Sequence, residues 1–290
     1  MAKTALVVIG ETASGKSDLA FKIASQFNGE IVCADASTIR RGMDIGTAKA
    51  SLLDRNKIPH HLLDIVEVDE PFSVAQFQKL AKEVILDIKK RQKLPIIVGG
   101  SGLYIDSLIY NYNFLPKNIA NQSRSDLNKL DLDQLTQIIS QRKLSLNGVD
   151  TKNRRRLIRL IETNGQTVHS NQLLADYLII GLKIDKKQLE LRLRKRLDKM
   201  FRAGLEEEVR QLSQTYGWQN QALEAIGYRE WQDYLSGLIS KEQLYEEIIK
   251  NSLHLAKKQR TWFKRNKDII WFNHPVNWQD IVKLITTNIY

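Results

Sequence analysis

Eight consecutive residues near the start of the chain constrain its fold more than any other stretch. Gly10, Glu11, Thr12, Ala13, Ser14, Gly15, Lys16 and Ser17 fit the pattern G-x-x-x-x-G-K-[ST]. Glycines let backbone amides converge on an anion, the N-terminus of a following helix adds partial positive charge, and a lysine adds a full one. The Ser17 hydroxyl is a suitable ligand for Mg²⁺. The pattern has this meaning only between a strand and a helix, and the flanks predict both. Residues 4–9 are β-branched and aliphatic, while Leu19, Ala20, Ile23, Ala24 and Phe27 recur at helical spacing. A site for a phosphate chain follows, but not yet for any particular phosphate compound.

Apolar runs at residues 30–34 and 94–98 end at Asp35 and at Gly99, Gly100, Ser101 and Gly102, and a helix over 74–91, capped by Ser73, is expected between them. Strands alternating with helices argue for a parallel sheet whose sites lie at the strands' C-terminal ends. From 110 to 151 Asn, Gln, Ser and Lys replace the aliphatic signal, with short helices expected at 126–130 and 133–142. The sheet pattern resumes at 177–184. Asp185 can then cap a long helix whose Leu189, Leu193, Leu197 and Phe201 form a core stripe. A helical pair is expected over 241–263 and a last short apolar run at 269–272. The expected architecture is α/β: a P-loop NTPase-like parallel sheet flanked by helices (residues 1–112 and 173–290), with a small helical insertion at 113–172.

Composition narrows the setting. The chain has 290 residues, 42% hydrophobic and 27% charged, the profile of a globular protein. Cys33 is the lone cysteine, which excludes an intramolecular disulfide and fits a reducing compartment. No apolar run is long enough for a signal peptide or a membrane span. The expectation is a cytoplasmic protein with no membrane partner, acting as a monomer. A formal net charge of +11 favours a polyanionic partner without naming one.

In a nucleotide hydrolase a strand beside the phosphate loop would end in an Asp that supports Mg²⁺, whereas residues 94–98 end in glycines and Ser101. Asp35 ends another strand and could be that carboxylate, or a base facing a second substrate. His60 and His61 are adjacent and point to different faces, so hydrogen-bonding roles are expected rather than metal ligation.

The phosphate loop, Met43-Asp44-Ile45-Gly46-Thr47-Ala48-Lys49, Pro59-His60-His61-Leu62-Leu63-Asp64-Ile65, Gly99-Gly100-Ser101-Gly102-Leu103-Tyr104, Ala225-Ile226-Gly227-Tyr228 and Lys258-Gln259-Arg260-Thr261-Trp262-Phe263 share order and spacing with one family. Together they resemble the bacterial tRNA dimethylallyltransferases, of the tRNA isopentenyltransferase family. The resemblance implies transfer of dimethylallyl from dimethylallyl diphosphate to the exocyclic amine of the adenosine next to the anticodon in tRNA. It implies Mg²⁺ as cofactor, held by Ser17, a diphosphate on the whole loop from Gly10 to Ser17, and Asp35 as general base with Ser101 beside the reacting nucleotide. It implies tRNA contacts from Asp35, Ala36, Ser37, Thr38 and Ser101, and from Arg155, Arg156, Leu157, Ile158 and Arg159 on the anticodon stem-loop. Asp44, Thr47 and Lys49 are expected to brace the loop and meet RNA. Lys257, Lys258, Arg260, Lys264, Arg265 and Lys267 form a second basic cluster whose basic face is expected to meet RNA, around an aromatic pair, Trp262 and Phe263, expected in the core.

The chain departs from the family at four places, one of them Arg155, which stands at the Gln position of the family's tRNA-contacting Gln-Arg-Leu-x-Arg segment. Ser101 stands where Thr is usual, keeping the hydroxyl. Ala36, Ser37, Thr38, Ile39 and Arg40 replace the usual Ser-x-Gln-(Ile/Val)-Tyr after the aspartate. Glu11 replaces a usual Pro, and nothing in the sequence accounts for a carboxylate in a diphosphate loop. Two rival readings stand beside the transferase: a P-loop small-molecule kinase or NTPase, and a non-catalytic tRNA-binding relative.

Overall fold

The computed structural model describes residues 3–114, 124–166 and 176–290. The chain divides into two compact units, Met1–Ile109 with Leu174–Tyr290, and Tyr110–Leu173.

In the first unit β1 (Ala5–Gly10) leads through the glycine-rich loop into α1 (Lys16–Gln26). Then come β2 (Gly29–Cys33), α2 (Leu52–Lys57), β3 (His60–His61), α3 (Val74–Lys90), β4 (Leu94–Gly99) and α4 (Gly102–Ile109). The second unit holds α5 (Arg124–Leu127), α6 (Leu132–Gln141) and α7 (Arg154–Glu162). The first unit resumes with β5 (Tyr177–Lys183), α8 (Lys186–Arg202), α9 (Leu205–Tyr216), α10 (Trp231–Leu235), α11 (Lys241–Phe263), β6 (Ile270–Asn273) and α12 (Trp278–Ile289).

The six strands form one parallel sheet in the order β3-β2-β4-β1-β5-β6. β1 and β4 are buried along their whole length. That is why they read as unbroken apolar runs rather than alternating ones: helices cover both faces of a parallel sheet. Leu6, Val8, Ile96, Val98 and Ile180 pack with Leu19 and Ile23 of α1 and with Ile281 and Ile285 of α12. Each such side chain contributes roughly 1.5–3 kcal/mol by leaving water. A second core joins Leu189, Leu193 and Leu197 of α8 to Leu205 and Val209 of α9 and to Leu244 and Ile248 of α11. Phe201, the last member of the expected stripe, is only partly buried against it.

The sequence-based expectations need correction at four places. Residues 241–263 form one 23-residue helix, not a helical pair: its buried residues run from Leu244 through Ile248 and Ala256 to Phe263, and no Gly or Pro interrupts them. The first short helix of the second unit begins at Arg124 and ends at Leu127, earlier than expected. α9 and α12 were not anticipated although both carry apolar residues at helical spacing. β3 has two residues, too few to show any periodicity. Ser73 does cap α3, in a reciprocal capping box with Gln76.

The second unit has its own core of Leu127, Leu135, Ile139, Leu157, Ile158 and Ile161. Beneath it Glu162 is fully buried and accepts from Arg124 Nη1 at 3.2 Å and from Arg159 Nη1 at 3.5 Å.

Candidate active site

The phosphate loop turns tightly enough to need Gly15 at φ 91° and Ala13 at φ 60°, both left-handed. Ser14 N donates to Glu11 O at 3.1 Å, and Lys16 Nζ donates to the same carbonyl at 3.2 Å. No side chain caps α1, so the orphan amides of its first turn point into the loop with the helix's partial positive charge. Ser14 Oγ is buried without a protein partner. Burial lowers the Lys16 ammonium to about 8, with Asp35 and Glu11 pulling it upward and Arg196 adding to the fall.

Two residues that the sequence does not mark, Arg196 and Arg192, also reach the phosphate loop. They sit one turn apart on α8. Arg196 reaches Thr12 Oγ1 at 3.3 Å and Thr47 O at 3.2 Å, and Arg192 reaches Ala13 O at 3.4 Å. Burial lowers the proton affinity of Arg196, and the charge of Asp35 opposes that. Arg192 also donates to His274 Nε2 at 2.6 Å, and burial together with this guanidinium keeps that imidazole low. The available signal was a pair of arginines at i and i+4 in the helix after the strand that pairs with β1.

Asp35 follows the end of β2, two strands from β1 across β4. The chain passes so close to β4 that a methyl on Gly99 would come within 2.0 Å of the Ala34 carbonyl oxygen, so only glycine fits there. Asp35 Oδ1 accepts from Ser37 N at 2.9 Å, and among the described residues Oδ2 has no hydrogen-bond partner. Ser101 Oγ accepts from Ala36 N at 3.1 Å, and Thr38 Oγ1 donates weakly to Asp35 O at 3.4 Å. The segment that departs from the family is thus tied to Asp35 and Ser101. Ile39 is buried, and Arg40 is spent on three carbonyls, those of Glu67, Val68 and Glu70.

The end of α11 holds the phosphate loop and the β4 loop together. Gln259 accepts from Thr12 N at 2.8 Å and donates to Gly100 O at 3.1 Å. Trp262 Nε1 donates to Asp106 Oδ2 at 2.8 Å, and burial still pushes that carboxyl up to about 6. Glu11 is buried, and both its oxygens accept from Arg260, at 2.8 and 2.7 Å. This is the physical account of the acid in the loop, and it corrects the expectation that Arg260 belongs to an RNA-facing cluster. Phe263 is core, Trp262 is half-buried, and Lys257, Lys258, Lys264 and Lys267 are exposed.

The motif at 43–49 is braced from within. The amides of Asp44, Ile45 and Gly46 all donate to the Glu208 carboxylate, at 2.7–3.0 Å, and Tyr228 OH donates to it at 2.7 Å. Lys49 is buried between Arg40 O, Asp44 and Asp64. Thr47 Oγ1 donates to Met43 O at 2.6 Å. His60 pairs with Ile58 O and His61 with Glu30 Oε2, both hydrogen-bonding roles as expected.

The Arg155, Arg156, Leu157, Ile158 and Arg159 segment lies on α7, in the other unit. Leu157 and Ile158 need correction as side-chain contacts to RNA: they are 0% and 1% exposed and belong to that unit's core.

Together the parallel sheet, the phosphate loop and a carboxylate at a strand end two strands away define a P-loop α/β protein built to hold a phosphate chain against a second reactant. The chain belongs to the IPP transferase family, whose profile matches residues 38–266. It is 40% identical over 283 residues to the tRNA dimethylallyltransferase of Anoxybacillus flavithermus, covering 94% of this chain and 91% of that protein. The crystal structure of a Staphylococcus epidermidis tRNA delta(2)-isopentenylpyrophosphate transferase is similar with a TM-score of 0.73 at 36% identity, covering 99% of both chains. A eukaryotic dimethylallyltransferase captured acting on tRNA is similar with a TM-score of 0.79 at 25% identity, covering 99% of this chain and 76% of that one.

Proposed function

We propose that this chain transfers the dimethylallyl group of dimethylallyl diphosphate to the exocyclic amine of the adenosine next to the anticodon of tRNA, releasing diphosphate. The observation that carries the reading is the pairing of an amide and lysine cradle at the end of β1 with a strand-end carboxylate, Asp35, whose Oδ2 has no hydrogen-bond partner among the described residues. An adenine amine is a poor nucleophile because its lone pair is delocalised into the ring. As its nitrogen bonds to the allylic carbon and the carbon–oxygen bond breaks, Asp35 Oδ2 takes the proton. The diphosphate leaves with its electron pair onto the loop amides, Lys16 and Arg196, which stabilise the growing charge. Ser101 keeps the Ala36 amide in place, and its hydroxyl hydrogen remains free to donate to the nucleotide.

The residues present suit Mg²⁺. Ser17 is exposed on the first turn of α1, and among the described residues no group of three His, Cys, Asp or Glu side chains is gathered for a metal. A serine hydroxyl beside a phosphate chain suits a hard cation held by one or two protein oxygens and the phosphates themselves. Ser17 would hold it, and the bound ion would neutralise diphosphate charge. The orphaned Ser14 hydroxyl is a further donor for the same oxygens. On α7, Arg155 and Arg156 would contact the anticodon arm, with a smaller share from Arg159, which is drawn toward the buried Glu162. Among the described residues no helix is long and apolar enough to cross a membrane, and we place the protein with its tRNA in the cytoplasm, acting as a monomer.

The test is incubation of the protein with Mg²⁺, dimethylallyl diphosphate carrying label in the allyl group, and unmodified tRNA. Label in the RNA without ATP consumption is the expected result. ATP hydrolysis coupled to turnover, or RNA binding with no label transferred, would return the chain to the kinase or the non-catalytic reading respectively.

A further inference from the structure

We propose that Glu11 and Arg260 form a positioning pair for diphosphate: Arg260 neutralises an acid built into the phosphate loop and fixes the carbonyl on which Lys16 rests. The proposal deepens the functional reading above and rests on it. Glu11 is the second residue of the loop and is 3% exposed. Its two oxygens accept one N–H each from Arg260, from Nε at 2.8 Å and Nη2 at 2.7 Å, a forked geometry that only arginine supplies. The same residue's carbonyl takes the Lys16 ammonium at 3.2 Å and the Ser14 amide at 3.1 Å. Next along α11, Gln259 takes the amide of Thr12. Two consecutive residues of α11 therefore hold two consecutive residues of the loop.

A buried carboxylate here is not neutral to function. Unpaired, it would repel a ligand that carries several negative charges, and the repulsion would be strong in a partly desolvated loop. Paired, it removes that repulsion and holds the backbone at Glu11 in the conformation that seats Lys16. The role is electrostatic as well as mechanical, and the two parts separate by experiment.

Binding of inorganic diphosphate in the presence of Mg²⁺, measured by calorimetry, is the probe, with thermal unfolding followed in parallel. Arg260→Gln is expected to weaken diphosphate binding by at least about tenfold, through the exposed charge of Glu11. Arg260→Lys, which keeps the cation, is expected to recover most of that loss. The double variant Arg260→Gln with Glu11→Gln is expected to bind at least about fivefold more tightly than Arg260→Gln alone, since the repelling charge is gone. A brace without electrostatic function would leave the double variant no better than the single one, and that result would overturn the proposal. Should Arg260→Gln fail to fold, Glu11→Gln decides the matter: it is expected to raise diphosphate affinity at least about twofold, and an equal or lower affinity would overturn the pair. If the wild-type protein binds no diphosphate, the functional reading falls and this proposal with it. Binding by the wild type without these variant effects removes the pair alone.

Discussion

Two loops of the first unit gather backbone amides in the same manner and differ in what fills them. At Asp44, Ile45 and Gly46 three successive amides close on the Glu208 carboxylate, which Tyr228 also holds. In the phosphate loop the acid that sits in the sequence, Glu11, is bound to Arg260 instead, while the uncapped start of α1, the Ser14 hydroxyl and Lys16 find no internal carboxylate. The first nest is architecture, since its anion is part of the chain. The second offers the first amides of α1, a hydroxyl and an ammonium, and among the described residues no carboxylate fills it, which makes it a place for an external anion. The same rule sorts the basic residues: an arginine already spent on a buried carboxylate has little left for RNA.

The largest effect should fall on the carboxylate that faces the open nest. Asp35→Asn keeps shape and the bond from Ser37 but cannot accept the amine proton, so transfer should drop by about 10²–10⁴-fold with donor binding nearly unchanged. Loss of Mg²⁺-dependent donor binding in single-turnover assays would instead make Asp35 a metal-supporting group. Next in size is Lys16→Ala, expected to slow transfer by roughly 10²–10³-fold and to weaken diphosphate binding in the same measurement, as loss of a preorganised oxyanion donor does. Normal kinetics would remove the loop from the mechanism. Because burial lowers Lys16 to about 8, its charge is partly lost in mildly alkaline solution. The protonated form is the one that binds, so the affinity advantage of wild type over Lys16→Ala should shrink above about pH 8, by up to about tenfold per pH unit. An advantage constant over that range would mean that the lysine keeps its proton throughout.

Glu208→Ala tests the filled nest. Removing the internal anion strands three backbone amides and the Tyr228 hydroxyl, and a loss of about 2 kcal/mol of stability is expected, read as a lower urea midpoint. Tight tRNA binding should survive in the folded fraction. Unchanged stability together with weakened RNA binding would show that these amides serve the RNA after all, and the distinction between the two nests would fail.

Legibility in the sequence followed distance along the chain. The phosphate loop, its flanking strand and helix, and the parallel α/β layout were readable because each signal is contiguous: a fixed glycine spacing, an unbroken apolar strand, a 3.6-residue stripe. Asp35 was readable as a strand end, although its two candidate roles were not separable. Nothing local marked Glu11 and Arg260 as partners, since 249 positions part them. Glu208 lies 162 to 164 positions from the amides it fills. Arg192 and Arg196 were hidden by the apolar stripe of their own helix, which explained α8 without them. Lys49 read as a candidate for RNA because charge is visible in sequence and burial is not.

The smallest effect concerns α7, where the rule about internal carboxylates separates residues that the sequence grouped together. Arg159 is drawn toward Glu162, which is fully buried and shared with Arg124, while the Arg156 side chain is exposed and has no partner among the described residues. If cations spent on buried acids contribute little to RNA, Arg156→Gln should lower the slope of log binding constant against log salt by about 0.7–0.9, one phosphate contact's worth. Arg159→Gln should change that slope by less than about half as much, and should instead lower the stability of the folded chain, because Glu162 loses one of its cations. Titration of tRNA binding over a range of salt concentrations, with an unfolding curve for each variant, reads both quantities. Equal slope changes for the two variants would show that RNA competes successfully with a buried carboxylate, and occupancy by an internal anion would then no longer distinguish a binding site from a brace. An unchanged slope for Arg156→Gln would make α7 a solvated basic face and leave the grip on RNA to other residues.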